Sequence, residues 1–149
     1  MGALKYYILK VDPKKRILFD PEKSIDFNGN TGPFVQYTYA RIQSILKNNH
    51  INANIGTPNK IDSKEVLIIK QLINYPEVIE QALKTYSPAL ISNYIYELVK
   101  RFNSFYQNIS ILGSKEPDTK NFRLMLLRNV ALNLKNSCAL LGISLPNRM

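Results

Sequence analysis

The longest hydrophobic pattern in the chain runs through residues 87–112 and has the period of an amphipathic α-helix. Apolar residues recur there at spacings of three and four, which at about 100° per residue places them on one face. That face consists of Ile91, Tyr94, Ile95, Leu98, Phe102, Phe105 and Ile109. Ser87 and Pro88 are a helix-start signal, since serine can cap the first turn and proline fits the first helical position. The pattern predicts a central helix that packs against other elements.

Four further segments after residue 32 have the same period and predict helices with short connections. Their expected boundaries are Pro33 to about Lys47, a start capped by Asp62 or Ser63, a break and new start at Pro76, and a last helix capped by Thr119 and closed by Gly142. In the two middle helices, we expect Ile73 and Leu83 to lie on the buried faces. Five amphipathic helices of this kind indicate an antiparallel helical bundle over residues 31–149.

The first 30 residues have a different pattern. Residues 3–9 are an apolar run that predicts a short helix, with a strand as a close alternative. Residues 16–20 are the best strand candidate in the chain because they contain Ile17, Leu18 and Phe19. This segment has too few apolar residues to form a core alone. The fold class expected is therefore mainly all-α, a helical bundle over residues 31–149 preceded by a short α/β remnant of a larger domain over residues 1–30.

Composition and charge narrow the function. The 149 residues are enough for one ordinary domain, and no segment approaches the roughly 20 apolar residues of a membrane span. With no signal peptide and one cysteine, Cys138, on an apolar helical face, we expect a cytoplasmic protein with a buried, inert thiol. The net charge is +9, and residues 100–149 carry eight basic and two acidic residues. This imbalance favours a polyanion such as RNA.

The sequence contains no catalytic pattern. His50 stands in a polar loop with no carboxylate or cysteine spaced to share a metal ion. The glycines at 29 and 32 lack the lysine and the strand-to-helix frame of a phosphate-binding loop. We therefore expect neither a metal ion nor a cofactor in this chain.

The polar face of the central helix offers a candidate binding site. Tyr96, Lys100, Asn103 and Gln107 follow one another at spacings of four, three and four. An aromatic ring beside a cation and two amides is suited to holding an unstacked base. The alternative is that Tyr96 is an amphipathic residue at the edge of a packing surface.

Several stretches together resemble the C-terminal part of bacterial arginyl-tRNA synthetases, and they cover essentially the whole chain. These are Gly-Ala-Leu-Lys-Tyr-Tyr-Ile-Leu at 2–9, Gly-Asn-Thr-Gly-Pro-Phe-Val-Gln-Tyr-Thr-Tyr-Ala-Arg at 29–41, Asn-Tyr-Ile-Tyr-Glu-Leu at 93–98, Phe-Asn-Ser-Phe-Tyr at 102–106, Arg123-Leu124, and Leu-Leu-Gly-Ile-Ser-Leu-Pro-Asn-Arg-Met at 140–149. The resemblance implies a helical anticodon-binding domain of the DALR type that recognises the anticodon stem-loop of arginine tRNA.

The same resemblance implies a longer parent enzyme that joins arginine to tRNA with ATP and Mg²⁺. The family's His-Ile-Gly-His and Lys-Met-Ser-Lys-Ser-like signatures are absent here, so no residue of this chain is assigned to arginine or ATP, and we expect it to be inactive alone. The expected partners are arginine tRNA and the missing N-terminal and catalytic domains, with no DNA and no membrane.

The resemblance also extends the candidate site. Its tRNA-binding residues would be Tyr96, Lys100, Asn103, Tyr106, Arg123, Arg128, Lys135, Arg148 and Met149. Gln36, Tyr37 and Arg41 match the junction between catalytic and anticodon-binding domains, and we assign them to domain docking. The alternative function is a stand-alone helical bundle that binds a protein partner, or RNA without specificity.

Overall fold

The computed structural model describes residues 1–52 and 56–149, and these form helices without a strand. The elements in chain order are α1 (Gly2–Leu9), α2 (Pro21–Ser24), α3 (Gly32–Lys47), α4 (Ser63–Ile73), α5 (Tyr75–Thr85), α6 (Pro88–Asn108) and α7 (Pro117–Leu140). The predicted helical bundle is therefore confirmed. No helix in the described part of the chain has the length and apolar character needed to cross a membrane.

Helix α6 is the centre of the bundle and contacts α1, α3, α4, α5 and α7. The predicted apolar face is confirmed, because Leu98, Phe102 and Phe105 are fully buried. The predicted side-chain cap at Ser87 is wrong. Tyr86 has a positive φ of 51°, and the backbone N–H of Ser87 donates to the carbonyl oxygen of Ala82. Ser87 therefore takes part in closing α5 through its backbone, while Pro88 begins α6.

The middle helices pack mainly against α6 and only sparsely against each other. Asp62 caps α4 in a capping box with Glu65, which settles the choice between Asp62 and Ser63. The predicted burial of Ile73 and Leu83 is wrong, since each is 72% exposed. Both lie in the last turn of a short helix that packs mainly against α6, so the buried face is narrower than the apolar pattern suggests.

Helix α7 carries the second long apolar face. Its predicted cap at Thr119 is wrong, because Pro117 occupies the first turn and Glu116 is the N-cap residue. At the other end Gly142 has a φ of 65°, and its N–H donates to the carbonyl of Ala139, which confirms the predicted glycine closure. Cys138 is fully buried as predicted, and burial raises the pKa of its thiol to about 12.

The first 30 residues pack on the bundle. Residues 3–9 form a helix as the first alternative predicted, and Tyr6 is fully buried with its hydroxyl 3.0 Å from the carbonyl oxygen of Ser92. The predicted strand over residues 16–20 is wrong, so the segment is not an α/β remnant. The described residues contain no strand with which it could pair, and the segment instead packs on α1, where the Phe19 ring lies edge-on to Tyr7 at 5.3 Å. The domain boundary at residues 30 and 31 stays a prediction.

Residues 141–149 return along α3 after α7 ends. Lys5 donates from Nζ to the carbonyl oxygen of Gly142 at 2.6 Å, and Gln36 donates from Nε2 to that of Ser144 at 2.9 Å. Beyond these two attachments, Asn147 and Arg148 line the same cleft as Ser44 of α3. The segment thereby forms one wall of the site described next.

Candidate nucleic-acid interface

Helices α3 and α6 and residues 141–149 enclose an open cleft of about 420 Å³, which we call the aromatic cleft. It is lined by Tyr37, Ala40, Arg41, Ser44, Ile45, Tyr106, Asn147, Arg148 and Met149. This lining combines two phenol rings, two guanidinium groups and a thioether, and it contains no carboxylate side chain. The side chains of the lining are therefore cationic and aromatic.

The local sequence explains how α3 presents its part of the cleft. Thr31 caps the helix by accepting from the Phe34 N–H at 3.3 Å, and Pro33 fits the first turn. From this start, Tyr37, Arg41 and Ser44 follow at spacings of four and three, which puts them on one side of the helix. The opposite wall is the end of α6, where Tyr106 stands.

Arg41 is the residue that connects the two walls. Its guanidinium carbon lies 4.7 Å from the ring centroid of Tyr37 and 4.9 Å from that of Tyr106. Both distances are typical of cation–π contacts. Its Nη1 also donates to Oδ1 of Asn103 at 3.0 Å. These three contacts hold the planar fork of Arg41 in a fixed orientation.

Asn103 accepts a hydrogen bond from Arg41 and is itself held by two others. Its Nδ2 donates to Oγ1 of Thr38 at 3.1 Å and to the carbonyl oxygen of Val99 at 3.0 Å, while Oδ1 accepts from Arg41. Both the oxygen and the nitrogen of the side-chain amide thus have hydrogen-bond partners. Asn103 therefore supports the orientation of Arg41, and the direct contact with RNA that the sequence predicts for it stays a prediction.

The two tyrosines of the aromatic cleft are each supported by another ring and partly open to solvent. Tyr106 is 39% exposed and stacks on Phe102 with centroids 6.0 Å apart and planes inclined by 29°. Tyr37 is 42% exposed and has Phe27 edge-on at 6.4 Å. Rings held in this way provide stacking surface at low entropic cost. The cleft can therefore bind a flat aromatic group and donate hydrogen bonds to its edge.

The sequence-predicted residues divide into those inside and those outside this cleft. Tyr106, Arg148 and Met149 line it together with the junction residues Tyr37 and Arg41. The third junction residue, Gln36, instead fastens residues 141–149 to α3. The two groups that the sequence treated separately, RNA contacts and domain junction, thus meet at one place.

Two other candidates on α6 lie outside the aromatic cleft. The half-buried ring of Tyr96 packs beside Phe34 at 6.5 Å, which corresponds to the packing alternative weighed for it. Lys100 is exposed and pairs with Glu97 at 3.6 Å. It borders a separate groove on the α4 side of the helix.

The candidates on α7 also lie outside the cleft. Arg123 donates from Nε to Oε1 of Glu65 at 2.6 Å and from Nη1 to the carbonyl oxygen of Ser110 at 3.0 Å. The side chains of this ion pair are only 15% and 0% exposed, respectively. Arg128 and Lys135 are exposed to solvent on the same helix.

Sequence reasoning missed Ala40, Ser44, Ile45 and Asn147. The signal for Ser44 was present, because it continues the series from Tyr37 and Arg41 by three positions. Because Tyr37 and Arg41 were assigned to a domain junction, Ser44 was not added to the candidate site. In the described ranges 1–52 and 56–149, no group of three histidine, cysteine or carboxylate side chains is arranged to hold a metal ion.

Comparison with known proteins identifies the domain that carries the cleft. A family profile described as the DALR anticodon binding domain matches residues 35–149. The chain belongs to the DALR anticodon-binding domain family. All nine residues that line the aromatic cleft fall within the matched range of this DALR domain.

Curated relatives extend the match to the whole chain. The chain is 57% identical over 149 residues to an arginine–tRNA ligase of Flavobacterium psychrophilum and 50% identical over 155 residues to one of Parabacteroides distasonis. Each alignment covers 100% of this chain but only 25% and 26%, respectively, of the relative. The chain thus spans about a quarter of the length of the curated relatives it matches.

Solved structures support the same fold. The Thermus thermophilus arginyl-tRNA synthetase superposes with a TM-score of 0.89 at 27% identity, covering 99% of this chain and 26% of that one. The Plasmodium falciparum arginyl-tRNA synthetase gives 0.86 at 24% identity over 99% of this chain. At that identity the second match speaks for the fold alone, and the DALR domain together with α1 and α2 is a helical arrangement common to both.

Proposed function

We propose that this chain binds the anticodon stem-loop of arginine tRNA as part of an arginyl-tRNA synthetase. The observation that carries this proposal is the aromatic cleft, in which a fixed guanidinium lies within cation–π distance of two partly exposed phenol rings. Proteins recognise RNA loops by stacking such rings on unpaired bases and by donating hydrogen bonds to the base edges. Membership of the DALR anticodon-binding family and the names of the relatives support the choice of arginine tRNA.

In this proposal an unstacked base of the loop enters between α3 and residues 147–149. Tyr106 and Tyr37 offer their open ring surfaces, and Arg41 directs its remaining N–H groups at the edge of the base. Met149 closes the cleft as an apolar wall. Arg148, at the rim, donates to the RNA backbone.

The activity of the longer protein is part of the same proposal. Its relatives are named arginine–tRNA ligases, so we infer that it joins arginine to tRNA with ATP and Mg²⁺ in the cytoplasm. The residues for those substrates would lie in N-terminal and catalytic domains outside this chain. Residues 1–30 would belong to the catalytic domain and residues 31–149 to the anticodon-binding domain. We expect this chain alone to lack ligase activity.

Fluorescence anisotropy with a labelled RNA hairpin tests the binding function. The hairpin of arginine tRNA should bind more tightly than hairpins in which only the anticodon bases are changed. Tyr106→Ala should weaken binding by about 1–3 kcal/mol, the usual worth of one base–aromatic stack. Tyr86→Ala is the matched control, because Tyr86 is 86% exposed and lies outside the cleft.

Arg41→Lys separates recognition of the base from simple attraction. Lysine keeps the positive charge but loses the planar fork that Tyr37, Tyr106 and Asn103 hold in place. We expect this variant to bind RNA with an unchanged salt dependence but a reduced preference for the correct anticodon.

Three results would contradict the proposal. Equal affinity of the wild-type chain for all hairpins would favour general RNA binding, and no RNA affinity would favour a protein partner. Equal effects of Tyr106→Ala and Tyr86→Ala would remove the aromatic cleft from the binding site. Tyr96, Lys100, Arg128 and Lys135 stay predicted contacts, and we expect each to contribute less than Tyr106, since none lines the cleft. The contact predicted for Arg123 stays untested, and its buried ion pair with Glu65 favours a structural role instead.

A further inference from the structure

A second cleft adjoins the aromatic cleft on the other side of residues 147–148. This polar cleft has a volume of about 490 Å³ and is lined by Gln43, Ser44, Lys47, Asn48, Asn147 and Arg148. Three of these residues, Ser44, Asn147 and Arg148, also line the aromatic cleft. The two clefts therefore share a rim.

The chemistry of the two clefts is complementary. Every side chain that lines the polar cleft is polar, two are cations, and none is a carboxylate. Within residues 1–52 and 56–149, neither Lys47 nor Arg148 forms a salt bridge with a carboxylate. Lys47 is exposed in the last turn of α3. Its charge is therefore available to an anion from solvent.

A nucleotide joins a flat base to a phosphate, and the paired clefts provide one compartment suited to each. We propose that the polar cleft binds the RNA phosphate next to the base held in the aromatic cleft, with Lys47 as its main cation and Arg148 at the shared rim. This inference rests on the proposed RNA-binding function and adds a residue, Lys47, that the sequence did not assign. Gln43, Asn48 and Asn147 supply further hydrogen-bond donors to the phosphate oxygens.

The diagnostic residue is Lys47, because Arg148 borders both clefts and its loss would affect base and phosphate together. Each phosphate contact to a single strand contributes about 0.7 to the slope of log affinity against log salt concentration. Lys47→Ala should therefore reduce the slope by about 0.7. When the salt concentration is raised fourfold, the fold-decrease in affinity should then be about 2.6 times smaller for Lys47→Ala than for the wild type. Lys70→Ala, an exposed lysine on α4 outside both clefts, should leave the slope unchanged.

Hairpins with a single neutral methylphosphonate, placed at each loop phosphate in turn, locate the contact. One position should lower wild-type affinity and have little further effect on Lys47→Ala, because the same interaction is removed twice. At the other positions the two losses should add. The base preference of Lys47→Ala should stay that of the wild type.

The outcomes separate the two proposals. An unchanged slope for Lys47→Ala, or additive losses at every position, would overturn the phosphate site even if Tyr106→Ala still weakens binding and the anticodon preference persists. If the wild-type chain showed no preference among hairpins and Tyr106→Ala had no effect, the proposed function would fail and the phosphate site with it.

Discussion

Removing the cation of the buried ion pair between α4 and α7 tests whether Arg123 is structural. The sequence predicted that Arg123 binds tRNA, whereas its guanidinium faces Glu65 in the bundle. We choose Arg123→Met, because methionine keeps the unbranched apolar stem and removes only the charged head. The variant leaves the Glu65 carboxylate, which is inaccessible to solvent, without its cation.

The expected loss follows from the contacts of Glu65. Breaking a buried ion pair by removing one partner costs about 3–5 kcal/mol, because an uncompensated charge stays in the interior. Oε2 of Glu65 keeps the backbone N–H of Asp62 at 2.6 Å, and Arg123 is partly accessible to water. We therefore expect the lower end, about 3 kcal/mol, which corresponds to a decrease of about 6–12 °C in Tm for a chain of this size.

Urea unfolding followed by circular dichroism measures this loss. The series consists of the wild type, Arg123→Met, Glu65→Gln and the double variant. Since glutamine removes the uncompensated charge, the double variant should be more stable than the sum of the single losses predicts, by about 1 kcal/mol or more. RNA affinity and its salt slope, measured where Arg123→Met is folded, should match the wild type.

Two results would refute this reasoning. If Arg123→Met lowered the unfolding free energy by less than about 1 kcal/mol, and the effects of Arg123→Met and Glu65→Gln were additive in the double variant, the ion pair would contribute little to stability. A stable Arg123→Met variant with a smaller salt slope would instead show that Arg123 contacts an RNA phosphate, in agreement with the tRNA-binding role predicted from the sequence.

Three further predictions concern single residues. Cys138 should react with a thiol reagent only at the rate of unfolding, because the buried thiol has a raised pKa; modification in the folded state would contradict this. Burial raises the pKa of the Tyr6 hydroxyl above its value in the unfolded chain. The buried, protonated Tyr6 therefore stabilises the fold fully below the ordinary tyrosine pKa of about 10. Above that pH the stabilisation declines, because the hydroxyl of the unfolded chain loses its proton first. Tyr6→Phe should therefore flatten the fall in unfolding free energy between about pH 10 and 12, and an equally steep fall would exclude this cause. Gly142→Ala should cost about 1 kcal/mol in urea unfolding because of the positive φ, and no change would show that the turn relaxes.

Helical periodicity predicted the faces of α6 and α7 because each helix is long and has bundle neighbours on its apolar side. It failed at Ile73 and Leu83, since the pattern within a helix does not reveal how many neighbours cover it. The prediction of a strand over residues 16–20 was wrong for a related reason. A strand is stable only with a pairing partner, and the composition of a short segment does not show whether one exists.

The site was predicted in part for similar reasons. Tyr106, Arg148 and Met149 were assigned through the resemblance, and they do line one cleft. The contacts of Arg41 were not predicted because its three partners come from two helices, and only the folded chain brings them together. The environment of Arg123 depends on Glu65, 58 positions away, and no local pattern shows that a charged residue is buried against a distant partner.

The attachment of residues 141–149 to α3 has a consequence for the order in which the protein is made. The hydrogen bond between Gln36 and Ser144 joins residues 108 positions apart, and the wall it anchors is synthesised after α3 and α6. A chain emerges from the ribosome with its N-terminal part first, at roughly 5–20 residues per second. A nascent chain that has not yet released residues 141–149 therefore has no finished cleft, although it is surrounded by ribosomal and transfer RNA. The proposed recognition of a tRNA loop begins only when that segment has docked.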